Sequence, residues 1–402
     1  MTAALFRKGL NLKHAVAGAL ADDYHSELVD QIKNANFTWK DGRLIVRLAQ
    51  EFGFCYGVDR AVDYAYQTRA RFPESRVFLT GEIIHNPGVN TRLREAGVSF
   101  LSDPNQSVEQ ITQSDVVILP AFGVTIEQLE QLEKRNCTLI DTTCGSVLNV
   151  WKNVKRYTED GFTAIIHGKV HHEETRATAS QALLAENGHY LVILDRKQAE
   201  LLCDFIRGRA EVDLFEATFR KACSPGFSPE RDLERVGLAN QTTMLMSESL
   251  EIGGMIRDAM VDRYGDNSLS DHYRAFETIC SATQDRQDAI TALLNTQHFD
   301  LAIVIGGYNS SNTRNLARIC ADSLHCFHIA DAECLVSENE IRHRPASRPN
   351  QGSLDDGSEV TSHNWLPSEG TVSVAVTAGA STPDSVVGDA ISRLSTFANS
   401  QD

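Results

Sequence analysis

The sequence predicts an α/β protein assembled from three similar units, and three observations carry that expectation. From residue 43 onward, β-rich runs alternate with helical patterns in the rhythm of βαβ units, which favours parallel sheets. Three cysteines recur in one local setting, FGFCYGV around Cys55, DTTCGSV around Cys144 and TICSATQ around Cys280. Each ends a short apolar or β-branched run and precedes a helical pattern. The chain has 402 residues, 42% of them hydrophobic, enough for a substantial core and more than one compact unit usually holds.

Residues 1–42 read as an added arm. Asp22, Asp23, Glu27 and Asp30 argue against an organelle transit peptide, which is poor in acids. Leu28, Val29 and Ile32 mark one short amphipathic helix suited to pack on the body or on a second subunit. RLIVRLA (43–49) opens a first strand and cysteine loop, 43–55, expected to pack with the third subdomain. The first α/β subdomain, 56–144, then reads as a helix over 58–72, the strand RVFLTGEII (76–84), a helix near 88–96, the strand DVVILPAFG (115–123), a helix at 125–136, and CTLIDTTCG (137–145). The second, 145–275, repeats the scheme with helices near 146–159 and 173–187 and strands at TAIIHGKV (163–170), YLVIL (190–194) and TTMLMS (242–247). Within it, 204–236 is polar, carries Pro225 and Pro229, and reads as an insertion. The third, 276–402, runs from FETIC through DLAIVIGGYNSSN (300–312), HCFHIA (325–330) and VSVAVTAGAS (372–381) to a last helix near 383–398. Its segment near 342–367, with Pro345, Pro349 and Pro367 among Ser, Gly and Asp, reads as a flexible loop.

Lys plus Arg total 38 against 54 Asp plus Glu, a net charge of −16, which disfavours a nonspecific grip on nucleic acid or an anionic membrane. No run of about 18 apolar residues appears and no secretory core opens the chain, so a cytoplasmic protein is expected. Nine cysteines, an odd number without the dense spacing of small secreted domains, fit a reducing compartment. Cys137, Cys203, Cys223, Cys320, Cys326 and Cys334 read as packing or incidental thiols. Cys203 and Cys223 lie in polar surroundings that suggest a surface position.

A thiol at a strand-to-helix turn faces the positive end of a helix dipole and loses its proton easily. Three such thiolates, brought together by three similar units, would hold an iron–sulfur cluster with one iron lacking a protein ligand, open to substrate. The competing reading is three ordinary buried cysteines, since free Cys is among the most buried residue types.

Short polar clusters stand at the ends of apolar strands, where α/β sheets place their ligand sites. GEIIHN offers His85 and Asn86, IIHGKVHHEETRAT offers His167, His171, His172, Glu173 and Glu174, and NQTTM offers Asn240, Gln241, Thr242 and Thr243. GGYNSSN offers Asn309, Ser310, Ser311 and Asn312, and TAGASTPD adds Ser381 and Thr382. Ser-Ser-Asn before a helix is first of all an N-cap, and a cap is also an anion site, because hydroxyls and unpaired N–H groups point the same way as the dipole. Ser310, Ser311, Asn312 and Ser381 together suit a phosphate or diphosphate without any arginine. His172-Glu173-Glu174 reads either as a solvated helix start or as a proton relay. CxxC, HExxH, GxxxxGK[ST] and GxGxxG are all absent, so neither compact zinc binding nor nucleotide use is supported.

As a set, FCYGVDRAV, IIHNPGVN, DTTC, HHEETRAT, NQTTM, TICSATQDRQ, GGYNSSNT and TAGASTPD resemble, in order, the LytB-type 4-hydroxy-3-methylbut-2-enyl diphosphate reductases of the non-mevalonate isoprenoid pathway, over roughly 43–400. The resemblance implies a pseudo-threefold, trefoil-like α/β fold around a central 4Fe-4S cluster held by Cys55, Cys144 and Cys280, its open iron facing substrate. It implies a diphosphate pocket of His85, His172, Ser310, Ser311, Asn312 and Ser381, with Glu174 as the acid. Thr242 is implied as the hydroxyl that helps place the reacting alcohol and a water. The implied reaction removes an allylic hydroxyl with two electrons and two protons, giving isopentenyl and dimethylallyl diphosphate. Many bacterial members carry a histidine where PAFGVT has Phe122. The long arm, Phe122 and the 204–236 insertion resemble the branch of cyanobacteria and plastids. No flavin or nicotinamide fingerprint is visible, so electrons are expected from a ferredoxin-type or flavodoxin-type protein, and the arm makes a homodimer plausible. Two alternatives stay open at this point. One is a noncatalytic iron–sulfur redox sensor or carrier in which Cys137 or Cys223 saturates the cluster. The other is an iron–sulfur dehydratase resembling aconitase.

Overall fold

The computed structural model describes residues 4–276, 278–346 and 358–400. The chain divides into two compact units, one of Met1–Lys8, Glu74–Gly81 and Ser99–Cys280, the other of Gly9–Pro73, Glu82–Val98 and Ser281–Asp402.

The first unit holds two largely parallel sheets. In one, Leu5–Phe6, Thr138–Asp141, Val116–Leu119 and Val77–Leu79 follow one another, all in parallel. Every residue of VVIL at 116–119 is buried, the pattern of a strand covered on both faces. In the other, the order is Tyr273–Ala275, Val236–Asn240, Thr163–His167 and Tyr190–Ile193. The expected strand at TTMLMS instead forms a turn and the start of the helix Met246–Tyr264, and the strand lies upstream at VGLAN. VGLAN has weak β-propensity, but burial between two neighbours outweighs it. Gly237 is required there: a Cβ would fall 2.4 Å from the Tyr157 ring packed over the strand.

The polar stretch 204–236 includes the helices Val212–Phe219 and Pro229–Asp232, and buries Phe215 and Phe219 against the core of the second sheet. Cys203, expected at the surface, is only 2% exposed. It lies on the inward face of Arg196–Ile206 with Ala199, Leu202 and Ile206, and burial pushes its thiol up to about 11.

The second unit is built on one sheet in the order Cys326–Ile329, Leu301–Ile305, Val372–Ala378, Leu44–Leu48 and Thr38–Asp41, with only the last pair antiparallel. The strand after residue 43 therefore pairs with the C-terminal strand. Of the segment read as a flexible loop near 342–367, residues 347–357 lie outside the described residues. Its two ends pair instead as an antiparallel ribbon, Glu340–His343 with Val360–His363, and Trp365 and Leu366 are buried.

The arm contributes to both units. Leu5–Phe6 is an edge strand of the first sheet, while the helices Lys13–Tyr24 and Glu27–Asn34 belong to the second unit. Ser26 caps the latter helix, and Val29 and Ile32 are fully buried in the core of the C-terminal sheet. Ile32→Ala should therefore cost about 2–5 kcal/mol. A thermal melt checks this, and an unchanged Tm would mean that the arm is not part of the folded core.

Candidate functional site

Each of the three cysteines stands immediately before a helix. Cys55 is the N-cap of Tyr56–Arg71, Cys144 is the N-cap of Gly145–Glu159, and Cys280 directly precedes Ser281–Leu294. All three are partly exposed, whereas Cys137, Cys203, Cys320 and Cys334 are buried. Cys137 donates its thiol to the carbonyl of Leu132, and burial raises both Cys137 and Cys223 above the ordinary thiol range. A thiol sulfur at a helix N-terminus is the kind of soft donor that an iron–sulfur group takes.

Within the second unit, three chain turns are tied together around Cys55. The Cys55 N–H donates to the Ala380 carbonyl at 3.1 Å, and the Ala380 N–H donates to Asn312 Oδ1 at 2.9 Å. The Ser381 hydroxyl donates to the His85 carbonyl at 3.2 Å, and Asn86 Nδ2 donates to the Ser381 carbonyl at 2.8 Å. Gly307 packs on the same backbone, where a Cβ would meet the His85 carbonyl oxygen at 2.6 Å. The structure thus gathers His85, Ser310, Ser311, Asn312 and Ser381, all buried, in one unit with Cys55. Ser310 caps the helix Ser311–Ser323 by accepting from the Thr313 N–H. Asn312 is 2% exposed, and its Nδ2 has no partner among the described residues. A buried, unsatisfied donor at a helix N-terminus is costly unless a ligand completes it, and the dipole there selects an anion. The His85 ring is fixed through Nδ1, 2.8 Å from Glu82 Oε2.

Within the first unit, Cys144 and Cys280 accompany His172, Glu174 and Thr242. The carboxylate of Glu174, 1% exposed, accepts twice from one residue: from the Thr242 N–H at 2.6 Å and from the Thr242 hydroxyl at 3.0 Å. The Thr242 carbonyl accepts in turn from the Cys280 N–H at 3.2 Å. His172, at the N-cap of Glu173–Ala182, accepts the Glu174 N–H at its Nδ1, so the neutral ring carries its proton on Nε2. Phe122 stands edge-on to that ring, centroids 5.6 Å apart, giving the imidazole an apolar wall. The bond between Thr242 and Glu174 makes a relay available: the carboxyl group and the hydroxyl form a two-member chain along which a proton can move.

The match to the LytB protein family spans residues 46–395. The chain belongs to the LytB family. Among the relatives of this LytB chain, the 4-hydroxy-3-methylbut-2-enyl diphosphate reductase of Synechococcus sp. (strain WH7803) is 46% identical over 96% of the chain and 94% of the relative. The reductase of the same name from Nostoc sp. (strain PCC 7120) is 45% identical over 96% and 93%. A solved (E)-4-hydroxy-3-methyl-but-2-enyl diphosphate reductase, described as the terminal enzyme of the non-mevalonate pathway, aligns with a TM-score of 0.52 at 26% identity, covering 87% of this chain and 98% of that one. The reductase structure from Plasmodium falciparum aligns with a TM-score of 0.61 over 86% of both chains, at 19% identity, and shares the fold. The α/β fold class read from the LytB sequence is therefore the observed one.

Sequence reasoning missed several supporting residues. Asn90 pins the turn before His85 by accepting from the Ile83 N–H and donating to the Ile84 carbonyl. Thr278 clasps Asn240 through both its N–H and its carbonyl. His328 and Arg344 donate to the Gly306 and Tyr308 carbonyls at 2.9 and 2.6 Å, and so hold the GGYNSSN loop from behind. Burial pushes His328 down to about 3, which keeps it neutral. Thr278 stands in a recognisable motif, but nothing local marks it as a clasp, and Arg344 lies far along the chain from its partner.

Proposed function

We infer that the protein catalyses the reductive dehydroxylation of (E)-4-hydroxy-3-methylbut-2-enyl diphosphate to isopentenyl and dimethylallyl diphosphate, the last step of the non-mevalonate isoprenoid pathway. Membership of the LytB family, with relatives of that name 46% identical over nearly the whole chain, carries this conclusion. The sensor and dehydratase alternatives have no comparable support.

The residues fit a 4Fe-4S cluster, and Cys55, Cys144 and Cys280 would hold it, leaving one iron without a protein ligand. When bound, the cluster supplies electrons one at a time and a Lewis-acidic iron. The protein's own residues then have separable tasks. Ser310, Ser311, Asn312 and Ser381, with His85, bind the diphosphate through hydroxyls, an amide and the N-terminus of Ser311–Ser323. The Nε2–H of His172 is a further donor to that anion. Fixing the diphosphate fixes the reacting alcohol, which converts an encounter into a positioned reaction. Thr242 holds the alcohol oxygen, and Glu174, in its protonated form, supplies through it the proton with which that oxygen leaves as water. The second proton, to the carbon skeleton, comes from the bound diphosphate. The buried setting keeps bulk water from competing with these bonds.

The electron donor is a ferredoxin-type or flavodoxin-type protein, the location is cytoplasmic and a homodimer is proposed. No helix among the described residues is long and apolar enough to cross a membrane.

The decisive assay is anaerobic turnover with the allylic diphosphate and a reduced low-potential donor. Formation of both five-carbon diphosphates supports the assignment, and turnover without any reductant would favour the dehydratase instead. A hydrogen bond to a charged group is worth about 1.5–3 kcal/mol, so Ser310→Ala combined with Ser311→Ala should raise KM by roughly 10²-fold or more. An unchanged KM would remove those hydroxyls from the diphosphate site.

A further inference from the structure

Arg286 is 4% exposed and carries a charge that the chemistry above does not use. It lies on the helix Ser281–Leu294, which Cys280 precedes. Its Nε and Nη2 both donate to the carbonyl of Gly53, at 3.2 and 2.8 Å, and its Nη1 donates to the carbonyl of Ala282 at 2.7 Å. Among the described residues it forms no ion pair. The Asp384 carboxylate, which lies against Gly53, is committed to Lys33 Nζ at 2.6 Å.

A buried guanidinium satisfied only by carbonyl dipoles is unusual, because an unpaired buried charge is strongly destabilising. Carbonyl oxygens satisfy N–H groups without supplying a counter-ion. The location of this charge indicates what completes it. Gly53 stands two residues before Cys55, and its φ of +72° is a left-handed conformation that suits glycine. Its N–H donates to the Ala378 carbonyl at 3.3 Å while its carbonyl receives the Arg286 fork, so the turn that presents Cys55 is held from both sides. The same side chain thus fixes one cysteine turn and rides on the helix that begins at another cysteine.

We propose that Arg286 is the buried countercharge and positioning residue of the iron–sulfur site, holding the Cys55 turn through Gly53 and stabilising the more negative, reduced form of the cluster. This rests on the reading that the three cysteines bind a cluster. Three thiolates around an iron–sulfide core make a net anion, and one-electron reduction adds another negative charge. A fixed cation in a low-dielectric surround favours that addition, one of the ways in which a protein tunes a cluster's potential. No proton or bond changes hands at Arg286.

The test compares wild type, Arg286→Lys and Arg286→Gln, each reconstituted anaerobically and titrated with redox mediators while the reduced cluster is followed by electron paramagnetic resonance. Glutamine keeps a donor for the Gly53 carbonyl and removes the charge, whereas lysine keeps the charge and loses the fork. Expected is a tenfold lower reduced-to-oxidised ratio for Arg286→Gln at the wild-type midpoint, which is about 59 mV for one electron, with Arg286→Lys within about twofold of wild type. Equal potentials for Arg286→Gln and wild type, or an equal fall in both variants, would overturn the countercharge. If Arg286→Gln assembles no cluster, retention by Arg286→Lys still supports it. Loss from both variants, with apoprotein melting as in wild type, would instead show that only the forked geometry at Gly53 matters. Failure of wild type to bind a cluster would sink the cysteine site itself, an outcome separate from any difference among the variants.

Discussion

Glu174→Gln should leave cluster content and KM near wild type and lower turnover by about 10²–10⁴-fold, the usual contribution of a positioned general acid. The substitution is nearly isosteric. Its carbonyl oxygen can still accept the Thr242 N–H that now lies 2.6 Å from Glu174 Oε1. What it loses is the second oxygen, which accepts the Thr242 hydroxyl and would carry the transferable proton in the acid form. An amide NH₂ facing that hydroxyl would force Thr242 to turn its own proton elsewhere, so Thr242 could no longer relay to Glu174 even if it still touched the substrate. Steady-state kinetics with a chemical reductant in excess isolates this step from electron delivery. A rate within about threefold of wild type would exclude Glu174 as the acid, because a group contributing 10² or more cannot be removed so cheaply.

Cys144→Ser should abolish turnover outright, since a serine oxygen is a hard, weakly acidic donor where a soft thiolate is needed. The fold should survive. Cys144 is partly exposed and its N–H bond to the Ala121 carbonyl is a backbone contact that serine preserves. Iron and sulfide analysis after reconstitution reads the effect directly, and circular dichroism checks the fold. Cys137→Ser is the informative control. If it loses the cluster as fully as Cys144→Ser, a fourth thiolate saturates the iron and the open-iron chemistry falls. Retention of cluster there would leave three ligands, consistent with a thiol buried against the Leu132 carbonyl.

Much of this was legible in the sequence because it rests on local grammar. A cysteine at the end of an apolar run and before a helical pattern becomes an N-cap, and both Cys55 and Cys144 do so. The Ser310 cap was readable for the same reason, since Ser-Ser-Asn before a helix has few other uses. Long-range partners were not readable. Arg286 and Gly53 are 233 positions apart, and nothing around either announces the other. The TTMLMS segment misled because its β-branched and apolar residues look like a strand, while VGLAN, with its small and polar residues, is made a strand by its neighbours. Cys203 misled through the polar residues beside it, which occupy the outward face of a helix whose inward face it shares with Leu202 and Ile206.

The pairing of Leu44–Leu48 with Val372–Ala378 also governs the order in which the protein can be made. Leu48 meets its partner Val376 only after the intervening chain has been synthesised, roughly 15–65 s later at ribosomal rates of about 5–20 residues per second. Until then the apolar run LIVRL lacks its parallel neighbour, and the Cys55 turn lacks the Ala378 and Ala380 carbonyls that anchor it. A nascent chain therefore offers Cys144 long before a finished Cys55 turn exists. A chain cut short before residue 372 would leave the LIVRL run without its partner strand, an aggregation hazard.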